Sequence, residues 1–232
     1  MDKLKKVLKI LGALILVSGI IAISYYIYEG INFFSTEDAQ VTADMVTLTP
    51  EITGKLIEWN VSEGDLIKTG QIIGKQDLST MITSTAVNPQ TLSNSADAMI
   101  AKADIKSPIG GKVVQSSVIK GQVISPGMEI ATIADTSHMY IKANIEETNI
   151  LNIKPGQAVD IKIDAYPHKT FKGNVESIGQ ATKSAFSQMP SLNTSGTYSK
   201  VTQLIPVRIS INNAENSTLM LGMNATVKIH IK

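Results

Sequence analysis

One pattern occurs twice in this chain. The first copy, Ile52 to Asp77, reads ITGKLIEWNVSEGDLIKTGQIIGKQD, and the second, Ile109 to Ala134, reads IGGKVVQSSVIKGQVISPGMEIATIA. At an offset of 57 residues eight positions are identical, among them the glycine pairs Gly54/Gly111, Gly64/Gly121 and Gly70/Gly127. Several of the others exchange like for like, as Leu56/Val113, Ile57/Val114 and Leu66/Val123 do. Glycine is the residue of tight turns, because a positive φ is cheap only without a Cβ. The six glycines are therefore expected to mark matched turns. Each copy reads as strand, turn, short strand, turn, strand. Two such halves face to face make a small flattened β-sandwich.

The N-terminus constrains location. Ile10 to Tyr28 is a run of 19 residues without a charge, preceded by Lys3, Lys5, Lys6 and Lys9. As a helix it would span about 28 Å, close to the hydrocarbon thickness of a bilayer. The lysines set the N-terminus on the cytoplasmic side, with everything after Glu29 outside. The exit Tyr-Tyr-Ile-Tyr-Glu-Gly lacks the small-x-small pattern of a signal cleavage site, so the helix is read as an uncleaved anchor.

Ser35 to Pro50 reads as an extended approach that becomes a strand. Leu78 to Ala103 differs in kind, with Ser, Thr and Ala and an Asn88-Pro89 break. Ser93 to Lys102 has helical spacing, so the insertion is a stubby helical hairpin or a loop. Beyond it, MYIKANI, AVDIKI, FKGNVESI, VTQLIPVRISI and ATVKIHI are strands of a compact antiparallel barrel. The fold class is thus mainly β. The boundaries are a tail at 1–9, an anchor at 10–28, sandwich halves at 36–77 and 104–135, an insertion at 78–103 and a barrel at 138–232.

Several chemistries are disfavoured. With no cysteine, disulfides, thiolate catalysis and Cys-based metal sites are excluded. His138, His168 and His230 are scattered, without metal-ligand spacing. Nucleophile-elbow, phosphate-loop and dinucleotide motifs are missing. The net charge of +1, with Arg208 the only arginine, argues against a nucleic-acid partner. Paired β-halves also build biotinyl and lipoyl carrier domains. Their modified lysine would sit where the 78–103 insertion stands, and neither Lys75 nor Lys102 has the flanking residues. No catalytic, cofactor or metal residue is assigned.

Three stretches carry a resemblance: TEDAQVTADMVTLTPEITGKL (Thr36 to Leu56), KADIKSPIGGKVV (Lys102 to Val114) and KSAFSQMPSLNTSGTYSKVTQLIPVRISI (Lys183 to Ile211). Together they resemble the membrane fusion protein, or periplasmic adaptor, family of HlyD/EmrA type. The resemblance implies a non-enzymatic, membrane-anchored accessory subunit of an export system. Its expected partner is a polytopic transporter, of the major facilitator superfamily by analogy with EmrA, or an ABC exporter by analogy with HlyD. A homo-oligomer is also implied. The polar stretch Gln180 to Ser199, with Phe186, Met189, Leu192 and Tyr198, is the candidate partner-contact loop. At 26 residues the insertion allows arms of about 20 Å at most, which disfavours contact with an outer-membrane channel. The rival expectation is a stand-alone extracytoplasmic module that binds a ligand or cell-wall polymer.

Overall fold

A computed structural model describes residues 2–77, 101–186, 202–212 and 217–231. It opens with helix α1, Asp2–Asn32, followed by strands β1 (Phe33–Thr42), β2 (Met45–Leu48), β3 (Gly54–Trp59), β4 (Leu66–Ile67) and β5 (Ile72–Asp77). After the insertion come β6 (Asp104–Lys106), β7 (Gly111–Ser116), β8 (Val123–Ile124) and β9 (Ala131–Ala134). The last strands are β10 (Tyr140–Glu146), β11 (Ala158–Ile163), β12 (Thr170–Ile178), β13 (Leu204–Ser210) and β14 (Asn224–His230). Two compact units result: residues 43–139, and residues 1–42 with 140–232.

The first unit is the sandwich, with sheets β2-β9-β7-β4 and β6-β5-β3-β8. Its pairing obeys the repeat. Gly54 stands opposite Ile124 on one side, and Gly111 opposite Ile67 on the other. Both long hairpins carry a bulge at the same place, between Leu56 and Glu58 and between Val113 and Gln115. The halves also exchange hydrogen bonds symmetrically: Gly64 N–H donates to Val113 O at 2.8 Å and Gly121 N–H to Leu56 O at 2.7 Å. Each half thus needs the other to satisfy its turns. Leu56, Ile67, Ile73, Val113, Ile124, Ile130 and Ile133 fill the space between the sheets.

The six repeat glycines divide into two groups. Gly64, Gly70, Gly121 and Gly127 have positive φ, between 75° and 97°. Gly54 and Gly111 do not. They open β3 and β7 and serve close approach, which corrects the expectation of a turn: a Cβ on Gly54 would stand 2.8 Å from Asp77 O, and one on Gly111 2.2 Å from Ala134 O.

The second unit is a closed barrel in the order β1-β10-β13-β12-β11-β14. Alternation drives every strand: Ile141, Ala143 and Ile145 on β10, Val159, Ile161 and Ile163 on β11, and Ala225, Val227 and Ile229 on β14 point inward and are buried. Here the boundary expectation is corrected. Residues 36–42 lie in β1, which joins the barrel rather than the first sandwich half. The reason is edge closure. Five strands would leave β10 and β14 with open edges; β1 pairs with both and buries Ala39 and Val41 between them. The helix is likewise longer than the uncharged run, since α1 runs from Asp2 to Asn32 and passes straight into Phe33.

The insertion at 78–103 lies mostly outside the described residues; only its end, residues 101–103, is seen, and it is helical.

Candidate functional site

The barrel has two different ends. One carries the passage from α1 into β1, the β10–β11 and β12–β13 connections, and the end of β14. The other carries the β11–β12 and β13–β14 connections. The first end is tied together by backbone and side chains. Ile231 N–H donates to Asn32 O at 2.8 Å, so the last residue of α1 is stitched to the strand beside it. Lys228 bonds Glu29 in the last turn of α1 and lies 4.3 Å from the ring centre of Phe33. The charge of Glu29, which by sequence follows the apolar run, is thereby matched inside the barrel unit.

A second cluster lies beside it. Asp160 on β11 accepts from His230 Nε2 on β14 at 3.1 Å and pairs with Lys172 on β12. Partial burial opposes ionisation of Asp160, but hydrogen bonds from Lys172 and His230, with the charges of both, outweigh it and hold the carboxyl below its ordinary value. The His230 ring meets Phe33 edge-on at 4.8 Å. This cluster braces three strands and the helix exit, and it was not legible in the sequence because its members are up to 70 residues apart.

The candidate partner loop also begins and ends on this end of the barrel. Lys183–Phe186 forms a short 3-10 helix. The Ser184 hydroxyl bonds Gln203 Oε1, and Gln203 O accepts from Glu147 N–H at 2.9 Å. Both stems of the loop are therefore pinned beside the β10–β11 connection. Of the proposed contact residues, Phe186 closes the 3-10 helix, while Met189, Leu192 and Tyr198 lie outside the described residues.

The other histidines are placed simply. His138 follows the sandwich, where its Nδ1 lies 2.8 Å from Asp135. Hydrogen bonds to Asp135 from the Ser137 side chain, then His138, then the Ser137 backbone lower its pKa to about 2. Among the described residues there is no group of three or more His, Cys, Asp or Glu that could hold a metal ion. A polar hollow of about 460 Å³ on the barrel is lined by Glu37, Asp38, Gln40, Asp164 and Asn224, among others. Asp38 is already committed there, accepting from Asn144 Nδ2 at 2.8 Å.

The helix has the composition of a membrane span: Leu14–Asn32 is long and apolar enough to cross a bilayer. Leu14, Ile15, Leu16, Val17, Ile20, Ile21 and Ile23 are all exposed, so apolar groups surround the axis rather than forming one stripe.

Comparison with known proteins matches both units. Residues 44–136 fit the family model of the barrel-sandwich hybrid domain of RND membrane fusion proteins, and residues 139–229 that of the YknX-like β-barrel domain. YhbJ of Bacillus subtilis (strain 168), whose name assigns it provisionally to an efflux system, is 39% identical over 87% of this chain and 81% of its own length. The colistin resistance protein EmrA of Acinetobacter baumannii is 36% identical over 56% of this chain, but the match spans only 38% of that protein. Among solved structures, a MacA–MexA chimera containing the α-hairpin domain of Pseudomonas aeruginosa MexA superposes with a TM-score of 0.68 over 87% of this chain and 82% of its own, at 19% identity, which is a likeness of fold. Sandwich, barrel and near full-length relative agree: the chain belongs to the membrane fusion protein family.

Proposed function

We propose that the chain is a non-enzymatic, membrane-anchored adaptor of a drug-export system, paired with a polytopic transporter of the major facilitator superfamily. The observation that carries the reading is the similarity to YhbJ through both units, over 87% of the chain. EmrA-type relatives named for multidrug export support it. The geometry fits the role. An adaptor must hold its outer domains at a fixed place beside a membrane partner, and here α1 runs into the barrel without a linker. Co-anchoring two proteins in one membrane raises their effective concentration, so modest complementary surface is enough. The lysines before α1 set the N-terminus in the cytoplasm and the sandwich and barrel outside.

The short insertion sets this adaptor apart from its longer relatives. Only 26 residues separate β5 from β6, and the matched EmrA of A. baumannii is spanned over just 38% of its length. The adaptor then works with its inner partner alone and assembles with sister copies around it, without reaching an outer-membrane channel. The test is a clean gene deletion. Sensitivity to at least one exported compound should rise and return to normal on complementation. Unchanged efflux across a broad compound panel would reject the reading.

A further inference from the structure

The β10–β11 connection holds the most exposed large hydrophobic side chain among the described residues. Leu151 is 87% exposed, more than any large hydrophobic side chain described on the apolar helix. It sits in a short 3-10 turn, Ile150–Asn152, whose neighbours are fixed. Ile153 is buried, its N–H donates to Ile150 O at 3.0 Å, and Asn152 N–H donates to Asn149 O at 3.1 Å. The tip is therefore built, with its leucine held outward.

Its position follows from a chain of hydrogen bonds. Gln157 Nε2 donates to Asn152 O at 3.1 Å and to Ile231 O at 3.2 Å, and Ile231 N–H donates to Asn32 O at 2.8 Å. Asn32 is the last residue of α1. The uncharged run Ile10–Tyr28 spans about 28 Å as a helix and fills the hydrocarbon layer, so Asn32, four residues on, stands about 6 Å beyond it, among the headgroups. With no linker before Phe33, this end of the barrel cannot stand clear of the headgroups. A lone exposed leucine elsewhere would be ordinary. Here it stands on the end of the barrel that is tied to Asn32, at the level of the headgroups. Lys154, three residues on, is also exposed; a lysine at an interface lays its stem along apolar surface and keeps its ammonium in the polar layer. Glu146 ends β10, and Glu147 N–H is bonded to Gln203 O.

We infer that Leu151, with Lys154 beside it, is an interfacial lipid anchor through which the barrel rests on the outer membrane surface. A second point of attachment stops the barrel swinging about α1 and fixes the orientation it presents. This inference rests on α1 crossing the membrane, not on the export reading, and survives if the latter fails.

The chain contains no cysteine, so Leu151→Cys and Met220→Cys each give a single labelling site in the full-length protein. Met220 is 60% exposed and lies near Gly222, whose N–H bonds Val41 O at the far end of β1. Each variant is labelled with an environment-sensitive fluorophore and reconstituted into phosphatidylcholine–phosphatidylglycerol liposomes. Trp59 emission checks the fold. Spin-labelled lipid should cut the emission at position 151 by about twofold and leave position 220 unchanged, as burial of a few ångströms at the interface requires. Iodide should act in the reverse order. Equal iodide quenching at both positions, with no effect of the lipid quencher, overturns the inference. So does shielding of position 151 in native membranes but not in pure liposomes, which would make the tip a protein contact. Failure of the protein to float with the liposomes would instead reject the transmembrane anchor, and the inference with it.

Discussion

Glycines of the same repeat do different work, and substitution separates them. Gly121 has a φ of 95° with nothing within 4 Å of an added Cβ, so Gly121→Ala costs only backbone strain, about 1–2 kcal/mol. A Cβ on Gly111 would collide with the Ala134 carbonyl, which is held in the β7–β9 ladder. Gly111→Ala should cost at least about 3 kcal/mol or abolish folding, because a strand must move. Urea unfolding followed by Trp59, the one tryptophan, compares them directly; its indole N–H bonds Ser116 Oγ across the repeat at 3.0 Å. The carboxylates give a pH signature. Asp135 is lowered from 3.8 to about 2 and Asp160 is lowered too. Both favour the ionised form in the folded chain, so their stabilisation is fully present above about pH 4 and is lost as pH falls through the folded values. The unfolding midpoint should therefore drop between about pH 4 and pH 2, and Asp160→Asn should flatten that slope. A midpoint independent of pH across the window would contradict the assigned contacts.

At the scale of elements, the repeat was the most legible part of the sequence. Its hydrophobic alternation and glycine spacing predict strand, turn, short strand, turn, strand, and the ladders follow that order with bulges in register. The symmetry reaches further than the residues reveal. β2 pairs β9 as β6 pairs β5, with Thr47 opposite Thr132 and Asp104 opposite Lys75 at the same offset, although these segments share no identical residue. Ile67 and Ile124 are equivalent buried positions, so Ile67→Ala and Ile124→Ala should each cost about 2–5 kcal/mol and by similar amounts. The partner of β1 was not legible. Its alternation announces a strand but not which sheet takes it, because periodicity carries no information on distant pairing. Gly173 was equally hidden: a Cβ there would meet Ser210 O at 2.0 Å, yet in sequence it is one glycine inside a strand. Truncation tests the β1 assignment. A chain starting at Phe33 should be soluble and keep its barrel. One starting at Ala43 should lose it and aggregate through the open edges of β10 and β14, as size exclusion and circular dichroism will read. An equally folded shorter chain would return β1 to the sandwich.

The whole molecule joins an apolar helix to a barrel and a two-fold sandwich. Family and architecture were readable because the repeat, the anchor and the Lys183 to Ile211 stretch each constrain them separately. The working surface was not. The loop residues Met189, Leu192 and Tyr198 gave a polar stretch with apolar punctuation, whereas the features that fix the helix exit, Glu29 with Lys228 and Gln157 with Ile231, join residues far apart in the chain. The central claim is that this chain is an adaptor for a transporter in its own membrane. The direct measurement is mild crosslinking of the tagged full-length protein in native membranes, followed by purification and mass spectrometry. A polytopic transporter should be recovered with it in reproducible stoichiometry, and be lost when α1 is replaced by a cleavable signal sequence. Recovery of the chain with only copies of itself, or with a cell-wall polymer, would contradict it.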